Sequence, residues 1–466
     1  MTRPRWRWSE LGLLIVAVGL VAALYVASGI GTSGAVPPDL AVRAALFGGL
    51  SLTAHVVVRF LARDADPLFL PIAVALNGLG LVMISRLDNA YRTRAEQAGK
   101  LPAAPAAAAQ LLWTVLGVVL FALVLLIVRD HRRLQRLTYL SLLAGIGLLL
   151  LPLVPGLGIE LNGSRIWIRA FGFSFQPGEL AKIVLVIFFA GYLAQKKDVL
   201  AIVRTRVLGL AMPRARDLGP LITVWLLGLG VLVFQKDLGT AVLFYGVFVV
   251  MLYVATQRRS WLVLGGLLLL LGGWGAYHSF GHVAERINVW LNPFADANGT
   301  GYQIVQSLYG FAAGGILGTG LGQGRPDLVP FANSDFIGAA IGEELGLFGF
   351  TAMVLLYAIL VGRGLAAAIV TRDAFGRLLA VGLATTMGLQ VFVVLGGVTR
   401  LIPLTGLTTP FLAAGGSSLV CNWMVIALLI RVSDAARRRA YPSPDAADAL
   451  APSSTLVSAP SAAGRP

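Results

Sequence analysis

Hydrophobic residues run along this chain in blocks of about twenty, separated by short polar breaks, from residue 10 to residue 430. A helix needs about 20 predominantly apolar residues to cross the hydrocarbon core of a bilayer. Twelve blocks meet that length: 10–29, 41–61, 68–85, 108–128, 137–156, 178–195, 217–234, 238–256, 260–279, 336–361, 378–397 and 406–430. The pattern predicts an all-α polytopic membrane protein with about 12 transmembrane helices. No polar stretch is long enough for a separate soluble domain. An even number of spans puts both termini on the same side. The first block follows Arg3, Arg5 and Arg7, as a signal peptide would. With no convincing cleavage site and more spans to follow, it reads as a retained helix.

The longest break, about 280–335, predicts a large outer loop. It contains Leu291-Asn292-Pro293-Phe294, a turn-forming Asp296-Ala297-Asn298-Gly299, and Gly301-Tyr302-Gln303-Ile304-Val305-Gln306-Ser307. A run with Gly314, Gly315, Gly318, Gly320, Gly322 and Gly324 follows. Residues 303–317 suit an amphipathic or re-entrant helix too interrupted to span, and connections this long in compact folds are usually functional. The stretch 436–466, rich in Ala, Pro and Ser, predicts a disordered cytoplasmic tail.

Composition supports the membrane reading. Mean hydropathy is +0.81, and charged residues make up 13% of the chain against about 25% in soluble domains. The net charge of +15 would suit nucleic acid if it were clustered, but the basic residues are scattered among short loops. With the N-terminus inside, 25 of the 37 Lys and Arg fall on the inner side, 11 on the outer side, and Lys182 within a span. That bias places both termini in the cytoplasm. The single Cys421 excludes an internal disulfide and reads as a small apolar filler. The four histidines show no zinc spacing. The glycine run follows no strand, so it is not a dinucleotide fingerprint.

The candidate chemistry lies in charges at membrane depth, which are costly and therefore functional by default. Ser334-Asp335-Phe336 leads into the tenth block, which then carries Glu343-Glu344. At 1.5 Å per residue Glu343 lies about 12 Å below Asp335 on a similar face. The column suits a polar cavity with a general base at its mouth. Equally, Asp335 suits a helix cap and the glutamates suit basic partners inside the bundle. Glu179 and Lys182, three residues apart, share a face and can neutralise each other or shape a cavity wall. Asn162, Arg165, Trp167, Arg286, Gln303, Gln306 and Arg400 form an outer basic and amide set that suits an anionic diphosphate.

These segments together resemble the SEDS family of bacterial cell-wall proteins, the group of RodA, FtsW and SpoVE. The matching text is Asn162-Gly163-Ser164-Arg165-Ile166-Trp167 with Gln176-Pro177-Gly178-Glu179-Leu180-Ala181-Lys182; Gln235-Lys236-Asp237-Leu238-Gly239-Thr240; Leu291-Asn292-Pro293 with Gly301-Tyr302-Gln303 and Gln306-Ser307; Ser334-Asp335-Phe336 with Glu343-Glu344-Leu345-Gly346; and Pro403-Leu404-Thr405-Gly406 with Gly415-Gly416-Ser417-Ser418. There are departures. Asn333-Ser334 stands where the family usually has His-Thr, Lys236 replaces a common proline, and Ala413-Ala414 replaces a Ser-Tyr pair.

The resemblance implies a ten-helix core over 68–435, with 1–67 as two additional N-terminal membrane helices. It implies polymerisation of lipid II into peptidoglycan strands at the outer face of the bacterial cytoplasmic membrane, as in cell-wall elongation and shape maintenance. Undecaprenyl diphosphate leaves and configuration inverts. Asp335 corresponds to the family's essential outer aspartate. Arg165, Trp167, Glu179, Lys182, Arg286, Gln303, Gln306, Glu343, Glu344, Ser417 and Ser418 become substrate-binding candidates. A class B penicillin-binding protein is the implied partner, alongside other elongation or division proteins. Mg²⁺ or Mn²⁺ suits carboxylates with a diphosphate, although the sequence shows no complete ligand set. The alternatives are a lipid II flippase and a non-catalytic scaffold for a penicillin-binding protein.

Overall fold

The computed structural model describes residues 6–161, 164–170, 173–201, 205–207, 210–212 and 215–440. Two N-terminal helices, α1 (Trp6–Ser33) and α2 (Leu40–Leu61), precede α3 (Phe69–Gln97), α4 (Ala106–Ile127) and α5 (Thr138–Leu150). Next come α6 (Pro177–Ala201), α7 (Ala215–Phe234), α8 (Leu238–Thr256) and α9 (Ser260–Ser279). Between α9 and the next span lie α10 (Gly281–Leu291) and α11 (Tyr302–Gly314). The chain ends with α12 (Ile337–Val370), α13 (Ala374–Val398) and α14 (Gly416–Ala440). Eleven helices among the described residues are long and apolar enough to cross a membrane. Helix α7, some of whose side chains lie outside the described residues, occupies the position of the seventh predicted span. The protein is a multi-pass membrane protein.

Alternation of the spans puts the segment after α9, the α5–α6 connection and the α13–α14 connection on one face, called here the loop face. Helices α3, α6, α13 and α14 make up the centre, where Trp423 packs edge-on against Phe121 and Phe411 at 5.6 and 5.7 Å. Short polar caps start several helices. Asp237 accepts the Thr240 amide at 3.0 Å, and Asp373 accepts the Gly376 amide at 2.7 Å. Each satisfies one of the orphan amides of a first turn.

Four differences from the sequence pattern have physical causes. The last span is α14, Gly416–Ala440, and not 406–430. Residues 406–415 continue the apolar run that precedes α14, but Pro410 and glycines at 406 and 415, with Pro403 just upstream, break the helix. Non-helical backbone survives at such depth only when protein satisfies it. The Thr405 carbonyl accepts from Arg286 at 3.1 Å, the Thr408 carbonyl from Gln390 at 2.8 Å, and the Ala413 carbonyl from Gln110 at 2.9 Å. Tyr357 donates to the Pro410 carbonyl. The predicted tail begins later than 436, because α14 continues to Ala440; residues 441–466 lie outside the described ones.

A three-stranded antiparallel sheet, β1 (Gly158–Leu161), β2 (Ser164–Ala170) and β3 (Phe173–Phe175), was not expected among the spans. A second hairpin, β4 (Thr205–Val207) and β5 (Leu210–Met212), lies on the opposite face. Finally, the tenth span is a 34-residue helix broken at Gly346, whose φ of 65° and ψ of −169° suit only glycine. The glycine run between α11 and α12 repairs the break. Leu347 and Phe348 amides donate to the Gly315 and Ile316 carbonyls at 2.9 and 3.1 Å, while Thr319 and Gly320 amides donate to the Glu343 and Glu344 carbonyls at 2.9 and 3.1 Å. Those are the two donors and two acceptors that an unbroken helix would have paired with each other.

Candidate active site

Asp335 lies in the turn immediately before α12, on the loop face, with its side chain partly exposed. Burial is the main cause that pushes its carboxyl up to about 6; the backbone amides of Asp335 and Phe336 and the charge of Arg286 pull the other way. Arg286 projects from α10, and its Nη1 donates to the Leu404 and Thr405 carbonyls at 3.4 and 3.1 Å. Desolvation lowers the Arg286 guanidinium from its ordinary value, against the charges of Asp237 and Asp335. Asp237, the cap of α8, is raised by burial and also feels Glu179 and Lys182. A line of alternating charge therefore descends from Asp335 through Arg286 and Asp237 to the first turn of α6.

At its inner end, Lys182 Nζ lies 2.7 Å from Glu179 Oε2 and donates to Gln390 Oε1 at 2.7 Å. Both charges are buried, as their mutual neutralisation requires. They line a small cavity with Thr386, Gln390, Cys421 and Asn422. Asn422 donates to Ser418 Oγ at 3.2 Å, so the first turn of α14 adjoins this cavity. Ser417 is buried, and its Oγ has no hydrogen-bond partner among the described residues.

Glu343 and Glu344 are committed to protein partners. Glu343 Oε1 accepts the Arg325 amide at 2.6 Å. Glu344 pairs with the buried Arg86 at 2.9 Å and accepts the Gly322 amide at 3.1 Å. Arg86 in turn donates to the Gly324 carbonyl at 2.9 Å. The two glutamates thus pin the glycine run onto α12. They hold the ground beneath Asp335 and do not continue a free acidic column. No motif in the sequence marks Arg86; a buried glutamate needing a cation is the signal that points to it.

Gln303 and Gln306 occupy the first turn and a half of α11, partly exposed, with no hydrogen bond to other described residues. Ser307 anchors the same helix by donating to the Val398 carbonyl at 3.0 Å. Arg400 is used structurally, donating to the Trp290 and Leu291 carbonyls at 2.9 and 2.7 Å. Arg165 and Trp167 lie on β2, which packs beside α6. Asn162 falls outside the described residues. Three residues join the site that residue types alone did not single out: Asp237, Gln390 and Asn422.

Among the described residues no group of three or more His, Cys, Asp or Glu side chains converges as a metal would require. Asp335 faces a guanidinium where a second carboxylate would be needed for a protein-held cation.

The profile of the FtsW/RodA/SpoVE cell cycle proteins matches residues 67–438. The peptidoglycan glycosyltransferase RodA of Mycobacterium tuberculosis is 51% identical over 437 residues, 93% of this chain and 92% of that protein. That coverage omits fewer residues than precede the family profile, so the match extends N-terminally beyond the profile. Among solved structures, a chain of a peptidoglycan synthase complex that coordinates polymerization and crosslinking superposes with a TM-score of 0.64 at 27% identity, covering 80% of this chain and 99% of that one. A point mutant of the rod shape determining protein RodA of Thermus thermophilus superposes at 0.55 with 25% identity, covering 80% and 98%. A profile that covers most of the chain, from α3 to the end of α14, establishes that this protein belongs to the FtsW/RodA/SpoVE family.

Proposed function

We propose that Asp335 is the general base with which this chain, a peptidoglycan glycosyltransferase, polymerises lipid II. One lipid II is the donor, its diphosphate held near Arg286 and the amides of Gln303 and Gln306. Asp335 takes the proton from the 4-hydroxyl of an acceptor GlcNAc. The freed oxygen attacks the donor's anomeric carbon, the bond to the diphosphate breaks, undecaprenyl diphosphate departs, and configuration inverts from α to β. A positioned base contributes about 10²–10⁴-fold.

The observation that carries this reading is the state of the three carboxylates. Glu343 and Glu344 are tied to Arg325 and Arg86, whereas Asp335 forms no side-chain ion pair among the described residues and has a carboxyl pushed up to about 6. That value keeps it ionised at neutral pH yet basic enough to accept a proton.

The inner bias of Lys and Arg supports cytoplasmic termini, with the loop face outside. Similarity to a chain of a peptidoglycan synthase complex supports a class B penicillin-binding protein as partner, and identity to mycobacterial RodA supports an elongation role. Mg²⁺ or Mn²⁺, if used, would ride on the substrate diphosphate, and no step here depends on it. The test is polymerisation of lipid II by the purified chain, alone and with a penicillin-binding protein. Glycan product from wild type and at least about hundredfold less from Asp335→Asn is expected. Equal product from both would overturn the assignment.

A further inference from the structure

A second site lies on the face opposite Asp335, where α4 passes into α5 through the tight turn His131–Leu137. It is a concave pocket of about 760 Å³ lined by Asp130, Arg132, Arg133, Gln135, Arg136 and Gln195. Basic residues on this face follow from topology alone, so their presence proves little. Their arrangement is more specific. Arg133 and Arg136 are exposed and have no carboxylate partner among the described residues. Arg132 is ion-paired, its Nε 3.5 Å from Asp373. Asp130 Oδ1 accepts the Arg132 amide at 3.0 Å, and against its single negative charge the lining sets three guanidiniums.

The surroundings indicate what fills the pocket. On one side, Leu126 and Ile127 end α4 with 48% and 71% of their surface exposed. On the other, Tyr139, Leu140 and Leu143 are 63%, 60% and 70% exposed at helical spacing along α5. A soluble anion would use the guanidiniums and ignore these strips. A phospholipid uses both, with phosphate at head-group depth and chains along the helices. Basic pockets between membrane helices bind multiply charged lipid head groups in this way.

We propose that this pocket binds an anionic phospholipid with two phosphates. The forks of Arg133 and Arg136 each take one phosphate, and the acyl chains lie along α4 and α5. Planar guanidinium forks suit phosphate oxygens bidentately. Only the assignment to the cytoplasmic leaflet rests on the orientation proposed above. Binding itself is independent of that orientation and of glycosyl transfer.

The test titrates the delipidated full-length protein in detergent with cardiolipin, phosphatidylglycerol or phosphatidylcholine, read by native mass spectrometry. Cardiolipin is expected to bind at least about tenfold more tightly than phosphatidylglycerol, which carries one phosphate. Arg133→Gln with Arg136→Gln should weaken cardiolipin about thirtyfold. Arg259→Gln, a basic change elsewhere on the same face, should leave it unchanged. Both substituted arginines are exposed, so an unaltered melting temperature of the lipid-free double variant confirms its fold. Undiminished cardiolipin binding by that variant would overturn the proposal. So would equal retention of phosphatidylglycerol, or displacement of cardiolipin by a polyglutamate peptide at comparable concentration.

Discussion

Asp335 offers a test in which one carboxyl governs both rate and stability. With its pKa pushed up to about 6, the base is about 90% ionised at pH 7 and about 10% at pH 5. The acid limb of kcat/KM should therefore fall about tenfold between those values. A carboxyl at the usual value of about 3.9 would stay more than about 90% ionised and give a nearly flat profile. The stability consequence has the opposite sense. A raised folded-state pKa means that the native protein holds the proton more tightly than the unfolded chain. The resulting stabilisation is full below about 3.9 and is lost as pH rises through about 6, by about 3 kcal/mol at most. Asp335→Asn removes that loss. The variant should melt at a higher temperature than wild type at pH 7.5, match it near pH 4, and polymerise lipid II at least about hundredfold more slowly. The assays are glycan synthesis from lipid II across pH, and thermal unfolding of both proteins in the same detergent. A flat wild-type profile from pH 7 to 5, or a variant with near wild-type rate, would refute the reasoning.

Further outcomes follow from the same geometry. Arg286→Gln removes a positive charge that favours ionised Asp335, so the acid limb should move up by about one unit at most, read in the same pH series. Glu344→Gln leaves the buried Arg86 without a counter-charge and should cost about 3–5 kcal/mol in thermal or denaturant unfolding, with Arg86→Met on the same chain recovering much of it. Lys182→Met strands Glu179 beside Gln390 and should destabilise by a similar amount; pairing it with Glu179→Gln should recover most of the loss. Gly31→Val should disturb the outer segment from a distance, because a Cβ at Gly31 would lie 1.9 Å from the Leu321 carbonyl oxygen. Faster proteolysis of the 314–325 stretch is the expected readout.

Most of the spans were legible because about twenty apolar residues in a row have few other uses. The exception at residues 406–415 shows the limit of that signal. Hydropathy registers that Leu407, Phe411 and Leu412 are buried but not whether the backbone between them is helical. That depended on whether Arg286, Gln390, Gln110 and Tyr357, from four other helices, could satisfy stray carbonyls. The sheet was legible in principle: Ile166 and Ile168 alternate with other residues along β2, and Asn162-Gly163 is a common hairpin dipeptide. Its short strands were overshadowed by the neighbouring spans. Asp335 could be singled out by position and by resemblance. Topology and resemblance also ranked Glu343 and Glu344 below it. What holds the two glutamates, the Arg325 amide and the distant Arg86, was not legible, because neither contact is a local property of the sequence.

The repair of α12 also sets a constraint of length. Two anchor points four residues apart on the outer strand, at 315–316 and 319–320, meet two anchor points four residues apart on the helix, at 347–348 and 343–344. The outer strand therefore works as a ruler with fixed graduations. Adding or removing one residue between Ile316 and Thr319 would leave two buried amides or two carbonyls unmatched, whatever the residue's chemistry. Natural length variation in the outer segment should accordingly collect on the far side of α11, around 296–300, and stay away from the glycines.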